Sequence, residues 1–160
     1  MDWPAGLLKL LHIAVAMAFV TGVVGRWILV RRAAGSDAID DAHRYAEAAE
    51  PFERMAIWGS NVILPIGMLT AWAKGYAWFG LTTGWIVASV VLLLSVVPFV
   101  PLVFIPRGKV FDAEMASARA AGQVTPGLRA AFADPAVTFA RRYEIAAVSV
   151  IIALMVLKPF

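Results

Sequence analysis

The chain has 160 residues, of which 61% are hydrophobic and 16% are charged, and its formal charge is +3. This apolar share exceeds the roughly 45–50% of soluble domains and predicts one integral membrane domain over residues 1–160, within the lipid bilayer. The small charge argues against nucleic acid as a partner. The absence of cysteine excludes disulfides, thiolate metal sites, iron–sulfur clusters and covalently attached c-type haem.

The first apolar stretch covers about residues 7–30 and is long enough to cross a bilayer as a helix. It nevertheless contains Lys9, His12 and Arg26. Ionisable groups inside a membrane helix are costly, and they usually face the interior of the protein. The three side chains share nearly one helix face, so we expect that face to point into a helix bundle.

Three further apolar stretches cover about residues 56–72, 81–105 and 143–157. With the first they predict an all-α fold, a bundle of four transmembrane helices. The fourth stretch is shorter than the ~17–25 residues that a span needs. Because Asp134 and Pro135 suit an N-cap and a first helical position, we expect this helix to begin at Pro135, ahead of the apolar residues.

Short amphipathic helices are expected in the two long connections between spans. One covers about residues 36–50 and ends before Pro51, which opens the second spanning helix. Another covers about residues 109–121, and a third begins at Pro126.

Lysine and arginine are distributed unevenly along the chain. Ten lie in the two long connections: Arg31, Arg32, Arg44, Arg54, Arg107, Lys109, Arg119, Arg129, Arg141 and Arg142. Three lie on the opposite side: Lys9, Lys74 and Lys158. This asymmetry predicts cytoplasmic loops in a bacterial inner membrane, with both termini on the periplasmic or outer side. Trp72, Tyr76, Trp78 and Trp85 then form an aromatic belt at the outer interface.

Three polar residues are expected in one inner-leaflet layer: Arg26, Asn61 and Glu144. Arg26 and Glu144 are a natural ion pair, and Asn61 could bridge them. Alternatively, the two charged side chains simply extend to the interface. A proton or ion path through this layer is a weaker hypothesis, because nothing continues it through the middle of the membrane.

His12 is expected about one and a half helical turns inside the outer end of the first span. Met68, Met155 and Lys158 should lie at similar depth on other spans. Such a set could ligate a haem iron or hold copper. The alternative is a structural histidine in a core where methionine fills gaps. Bis-histidine haem within one chain is excluded because the other histidine, His43, is expected on the cytoplasmic side, and no separate metal site is predicted.

Three passages resemble a bacterial family of predicted integral membrane proteins, domain of unknown function 2269. They are residues 8–12 with the Gly22 and Gly25 patch that follows, Pro106-Arg107, and residues 154–159 with their Met-x-x-Lys-Pro ending. The resemblance covers nearly the whole chain. It implies a four-helix membrane protein and supplies no activity.

The first span also resembles that of HemJ-type protoporphyrinogen oxidases and CopD-type copper-resistance proteins, which open with Lys-x-x-His. Lys9 and His12 match that spacing. The resemblance implies a haem-ligand role for His12. The rest of the chain lacks the HemJ-type pattern.

The usual catalytic signatures are absent from the sequence. The leading hypothesis is therefore a structural protein or an accessory component of a membrane assembly, acting as a homo-oligomer or within a larger complex. The alternative is a membrane redox protein that binds haem b through His12. A small-solute or ion transporter is weaker, because no inverted repeat is evident.

Overall fold

The computed structural model describes residues 3–159, which contain helices and no strand. The α-helices are α1 (Trp3–Ala34), α2 (Ile39–Ala73), α3 (Gly84–Val96), α4 (Ile105–Ala120), α5 (Pro126–Phe132) and α6 (Pro135–Leu157). A 3₁₀ turn covers Ala77–Gly80, and a π-helical turn covers Val100–Phe104. The start of α1, the end of α2, the start of α3 and the end of α6 lie at one end of the bundle, which we call the His12 end. The opposite end is the Glu144 end.

Helices α1 and α2 form an antiparallel hairpin in which glycines allow the backbones to approach closely. A Cβ atom on Gly22 would lie 2.6 Å from the backbone nitrogen of Ala56. A Cβ atom on Gly59 would lie 2.7 Å from the Cβ of Phe19. Small residues serve this purpose in membrane helices, where close packing replaces the hydrophobic effect as a driving force.

Helix α2 corrects the expectation of two separate helices that meet at Pro51. Pro51 lies inside one continuous helix of 35 residues. An interior proline removes a backbone hydrogen bond and costs on the order of 3 kcal/mol. Buried side chains lie both before and after it, at Ala49 and Ala56 among others, so packing on both sides keeps the helix intact.

The third apolar stretch also continues beyond its expected end. Pro98 and Pro101 interrupt the α-helical hydrogen bonds after Val96, and the π-helical turn leads directly into α4. The helix expected over residues 109–121 is therefore the C-terminal part of α4. It ends before Gly122, whose φ of +65° suits glycine.

The two predicted helix starts near the end of the chain are confirmed. The side chain of Thr125 accepts a hydrogen bond from the Leu128 backbone N–H at the start of α5. The Asp134 carboxylate accepts from the Ala136 and Val137 backbone N–H groups at 2.9 and 3.1 Å, and α6 begins at Pro135.

Among residues 3–159, three helical stretches are long and apolar enough to cross a membrane: Trp3–Ala34, Ile39–Ala73 and Gly84–Ala120. Helix α6 has 23 residues but carries Arg141, Arg142 and Glu144 in its first half. It packs against α3 and α1, and Val148 joins Phe19, Val23 and Ala56 in a buried cluster.

Candidate functional site

A cavity of about 550 Å³ lies at the His12 end, between α1, α2, α3 and α6. Its lining includes four residues that the sequence proposed as one site: His12, Met68, Met155 and Lys158. Most of the other lining residues are aliphatic or aromatic. Ligand sites in proteins have this character, with volumes of ~300–1,000 Å³ and a few polar groups within apolar walls.

His12 is the polar side chain in this cavity that has an unsatisfied buried atom. Its Nδ1 is buried and has no hydrogen-bond partner among residues 3–159. The Ile63 carbonyl lies beside the ring, but it forms no hydrogen bond of normal geometry with Nδ1. Buried polar atoms normally have partners, and an exception points to water, an ion or a functional role.

Gly67 makes room for the His12 ring. A Cβ atom at position 67 would lie 3.0 Å from the Cε1 of His12, closer than ordinary contact. One turn further along α2, the Thr70 hydroxyl donates to the Leu8 carbonyl of α1 at 3.1 Å. These two contacts fix the histidine between α1 and α2.

The remaining wall comes from α3 and the segment before it. Trp85 and Ile86 are buried, and Tyr76 packs edge-on against Trp85 with ring centroids 6.1 Å apart. The Lys158 ammonium lies 5.5 Å from the centroid of the Trp85 ring, a cation–π contact. Lys158 itself adopts a left-handed conformation that ends α6 at the cavity.

Three lysines line the cavity together with these apolar side chains: Lys9, Lys74 and Lys158. No carboxylate occurs among the described residues that line it. The cavity therefore combines apolar walls with a positive margin, which suits a ligand that has an apolar body and anionic groups.

The aromatic residues that the sequence placed in one belt divide into two groups. Trp72 and Trp78 are exposed, at 61% and 78% of their surface. Trp85 and Tyr76 instead turn inward and line the cavity. Sequence position alone could not distinguish an interfacial aromatic residue from a cavity wall.

At the Glu144 end, the structure brings Arg26 and Glu144 together. An Arg26 Nη2 atom lies 2.5 Å from a Glu144 carboxylate oxygen, and both residues are buried. The Arg26 guanidinium also lies over the Phe104 ring, 4.9 Å from its centroid. Neither residue extends to the surface, so a buried pair replaces the alternative of two side chains reaching the interface.

Asn61 does not join this pair, which corrects the expectation that it could bridge the two charges. Its side-chain nitrogen donates to the Ile57 carbonyl at 2.7 Å, and the residue is exposed. Asn61 lies five residues after the buried Ala56, which places it about 140° around α2. The direction in which Asn61 faces therefore separates it from Glu144.

The long apolar helices are typical of an integral membrane protein, and a comparison with known families agrees with this. The family model for predicted integral membrane proteins, domain of unknown function 2269, matches residues 6–159. The chain belongs to this family. It is thus a multi-pass integral membrane protein whose function is unknown. No curated protein and no solved structure matches the chain.

Two cavity residues were missed by the sequence reasoning. Gly67 contacts the His12 ring, and Ser89 is 2% exposed with its hydroxyl bonded to the Trp85 carbonyl at 2.8 Å. A glycine inside an apolar helix is a signal of close approach and could have been used. A serine that bonds its own helix leaves no such signal.

Proposed function

We propose that this protein binds haem b in the cavity at the His12 end and acts as a membrane redox protein. The observation that carries the proposal is the position of His12 together with Met68 and Met155 in the lining of a cavity of about 550 Å³. Imidazole is a common axial ligand of haem iron.

The other lining residues fit this ligand. Met68 and Met155 offer thioether sulfur as a second iron ligand. Lys9, Lys74 and Lys158 offer ammonium groups for the two propionates. The aliphatic and aromatic walls suit the macrocycle. Haem would supply one-electron chemistry, while the chain would hold it, exclude water and set its axial ligation.

An absorption spectrum tests the proposal. The protein, purified in detergent and supplied with haem, is expected to show a Soret band that shifts on reduction. His12→Ala should abolish the shift, whereas His43→Ala should retain it, because His43 lies at the other end of α2. Absence of a Soret band in the wild type, or equal spectra for wild type and His12→Ala, would overturn the proposal.

The proposed setting is one domain of four membrane-spanning helices in a bacterial inner membrane, with cytoplasmic loops and both termini outside. The ten lysines and arginines of the long connections support this orientation. Helix α6 becomes the fourth span if its charged first turns lie at the membrane surface. The haem cavity then opens toward the outer leaflet.

A second candidate function, assembly with another membrane protein or a second copy, rests on Asn61. This polar side chain is exposed on a face of α2 that also carries Trp58, Pro65 and Leu69. An amide that faces lipid is costly, and asparagine commonly bonds across membrane helices. If Asn61 lies in such an interface, Asn61→Leu should lower the mass of the detergent-solubilised particle in light scattering. If the wild type and Asn61→Leu are both monomeric, the result contradicts this function.

A further inference from the structure

A second cavity, of about 420 Å³, lies at the Glu144 end between the end of α1, the first half of α2, α4, α5 and the start of α6. Unlike the first, it is lined by many charged side chains. The cations are Arg26, Arg107, Arg119 and Arg141, and the carboxylates are Glu47, Glu50, Glu53 and Asp112. Its chemistry is independent of the proposed haem site.

Two arginines that line this cavity also have unsatisfied buried atoms. The Nε atoms of Arg26 and Arg141 are both buried and have no hydrogen-bond partner among the described residues. Arg26 uses another nitrogen for Glu144 and is 7% exposed overall. A guanidinium has five N–H donors in a fixed plane, so both side chains retain donors for a further acceptor.

The lining as a whole carries four arginines and four carboxylates, but none of these carboxylates is buried with the arginines. Arg26 and Arg141 bring two positive charges, and Glu144 is the one buried carboxylate among the described residues. Within residues 3–159, Arg141 has no carboxylate oxygen within ion-pair distance, and Glu53 is exposed. Glu53 and Glu144 lie close enough for their charges to act on Arg141, but neither accepts a hydrogen bond from it, so its guanidinium keeps donors for a further acceptor.

The π-helical turn contributes to the same position. It ends at Phe104, whose ring lies under the Arg26 guanidinium and lines the cavity. Such turns occur frequently at functional sites. The aromatic contact holds Arg26 in one orientation, with one edge on Glu144 and its Nε free.

The lining of the cavity also contains carboxylates. Glu50 and Glu53 come from α2, and Asp112 comes from α4. An anion alone would face these carboxylates. A ligand that carries a positive group next to its anionic group would match both signs of charge in the lining.

We propose that this cavity binds a zwitterionic phosphate ester of the phosphoethanolamine type. Arg26 and Arg141 bind the phosphate, for which the planar guanidinium fork is well suited. Glu53 and Asp112, which form no ion pair among the described residues, bind the ammonium group. The ester comes either from a phospholipid headgroup in the adjacent leaflet or from a soluble metabolite.

Titration calorimetry of the delipidated protein in detergent tests the proposal with three probes. These are dihexanoyl phosphatidylethanolamine, glycerophosphoethanolamine and dihexanoyl phosphatidylglycerol. Binding of the first alone identifies a lipid headgroup, and binding of the first two identifies a site that also accepts the soluble ester. Both outcomes support the proposal. No binding, or equal affinity for phosphatidylglycerol, overturns it.

Variants assign the binding to the cavity. Arg141→Gln is expected to weaken binding about tenfold or more, since it removes charge-assisted hydrogen bonds. Arg141→Lys, which retains the charge and loses the fork, should fall between Arg141→Gln and the wild type. Arg142→Gln is the matched control, because Arg142 is exposed on the same helix and outside the lining. Equal affinity in Arg141→Gln and Arg142→Gln overturns the assignment, and elution of each variant at the wild-type volume shows that it is folded.

Discussion

The buried pair of Arg26 and Glu144 connects α1 to α6 across 118 positions of sequence. Its contribution to stability depends on both partners being present. Removal of one partner from a buried pair typically costs about 3–5 kcal/mol, because the other charge remains buried without compensation. Replacement of both partners by apolar residues is often nearly neutral.

We therefore predict that Glu144→Gln lowers the free energy of unfolding by about 3–5 kcal/mol, and that the double variant Arg26→Met with Glu144→Leu recovers most of the loss. Unfolding in mixed micelles, followed by far-UV circular dichroism, measures both. Glu50→Gln is the control, since Glu50 forms an exposed pair with Arg54 and should change stability by about 0–1 kcal/mol. An equal effect of Glu144→Gln and Glu50→Gln would contradict the buried pair.

At the scale of the helices, the contact between α1 and α2 depends on glycine. A methyl group at Gly22 would meet the backbone of α2, 2.6 Å from the Ala56 nitrogen and 2.7 Å from the Phe52 oxygen. Backbone atoms cannot rotate away as a side chain can, so the helices must separate.

Gly22→Ala is therefore expected to destabilise the protein by about 1–3 kcal/mol, the usual cost of overpacking. Gly6→Ala on the same helix meets no atom within 4 Å and should be neutral or stabilising by up to about 1 kcal/mol. Denaturant unfolding of the two variants side by side measures the difference. If Gly22→Ala is as stable as Gly6→Ala, the close approach of α1 and α2 is wrong.

The start of α6 is a second test at this scale. Asp134 caps the helix and also accepts a hydrogen bond from Arg107 at 2.9 Å. Asp134→Ala should cost about 0.5–2 kcal/mol, whereas Asp134→Asn should retain most of the cap, because asparagine is an equally good N-cap residue. Asp112→Ala, at an exposed position of α4, is the control. A loss as large in Asp134→Asn as in Asp134→Ala would assign the effect to the Arg107 contact instead.

At the scale of the whole molecule, the orientation in the membrane is testable directly. The chain has no cysteine, so single cysteines report accessibility without background. We predict that Thr82→Cys, at the His12 end, reacts with an impermeant maleimide on spheroplasts, which lack the outer membrane but keep the inner membrane sealed. Gln123→Cys, at the Glu144 end, should react only after lysis. The reverse pattern would overturn the proposed topology.

Local sequence predicted much of the helical architecture. The first two apolar stretches lie within α1 and α2, the third covers α3 and the π-helical turn after it, and the capping residues Thr125 and Asp134 mark the starts of α5 and α6. These features depend on interactions within a few residues, so a pattern in the chain is sufficient to find them. Estimates of depth along the helices also pointed to the Arg26 and Glu144 pair and to the residues around His12.

Tertiary packing decided what local patterns could not. Helix α2 continues through Pro51, and Trp85 and Tyr76 face the cavity instead of the membrane interface. Asn61 faces away from the pair of Arg26 and Glu144. The two cavities also depend on tertiary packing, because a cavity exists only where side chains from several helices fail to fill the space between them. The sequence by itself determined which segments are helical and apolar, since that follows from spacing along the chain. Only the tertiary structure decided which faces meet, because rotation of one helix against another is set by contacts between residues far apart in sequence.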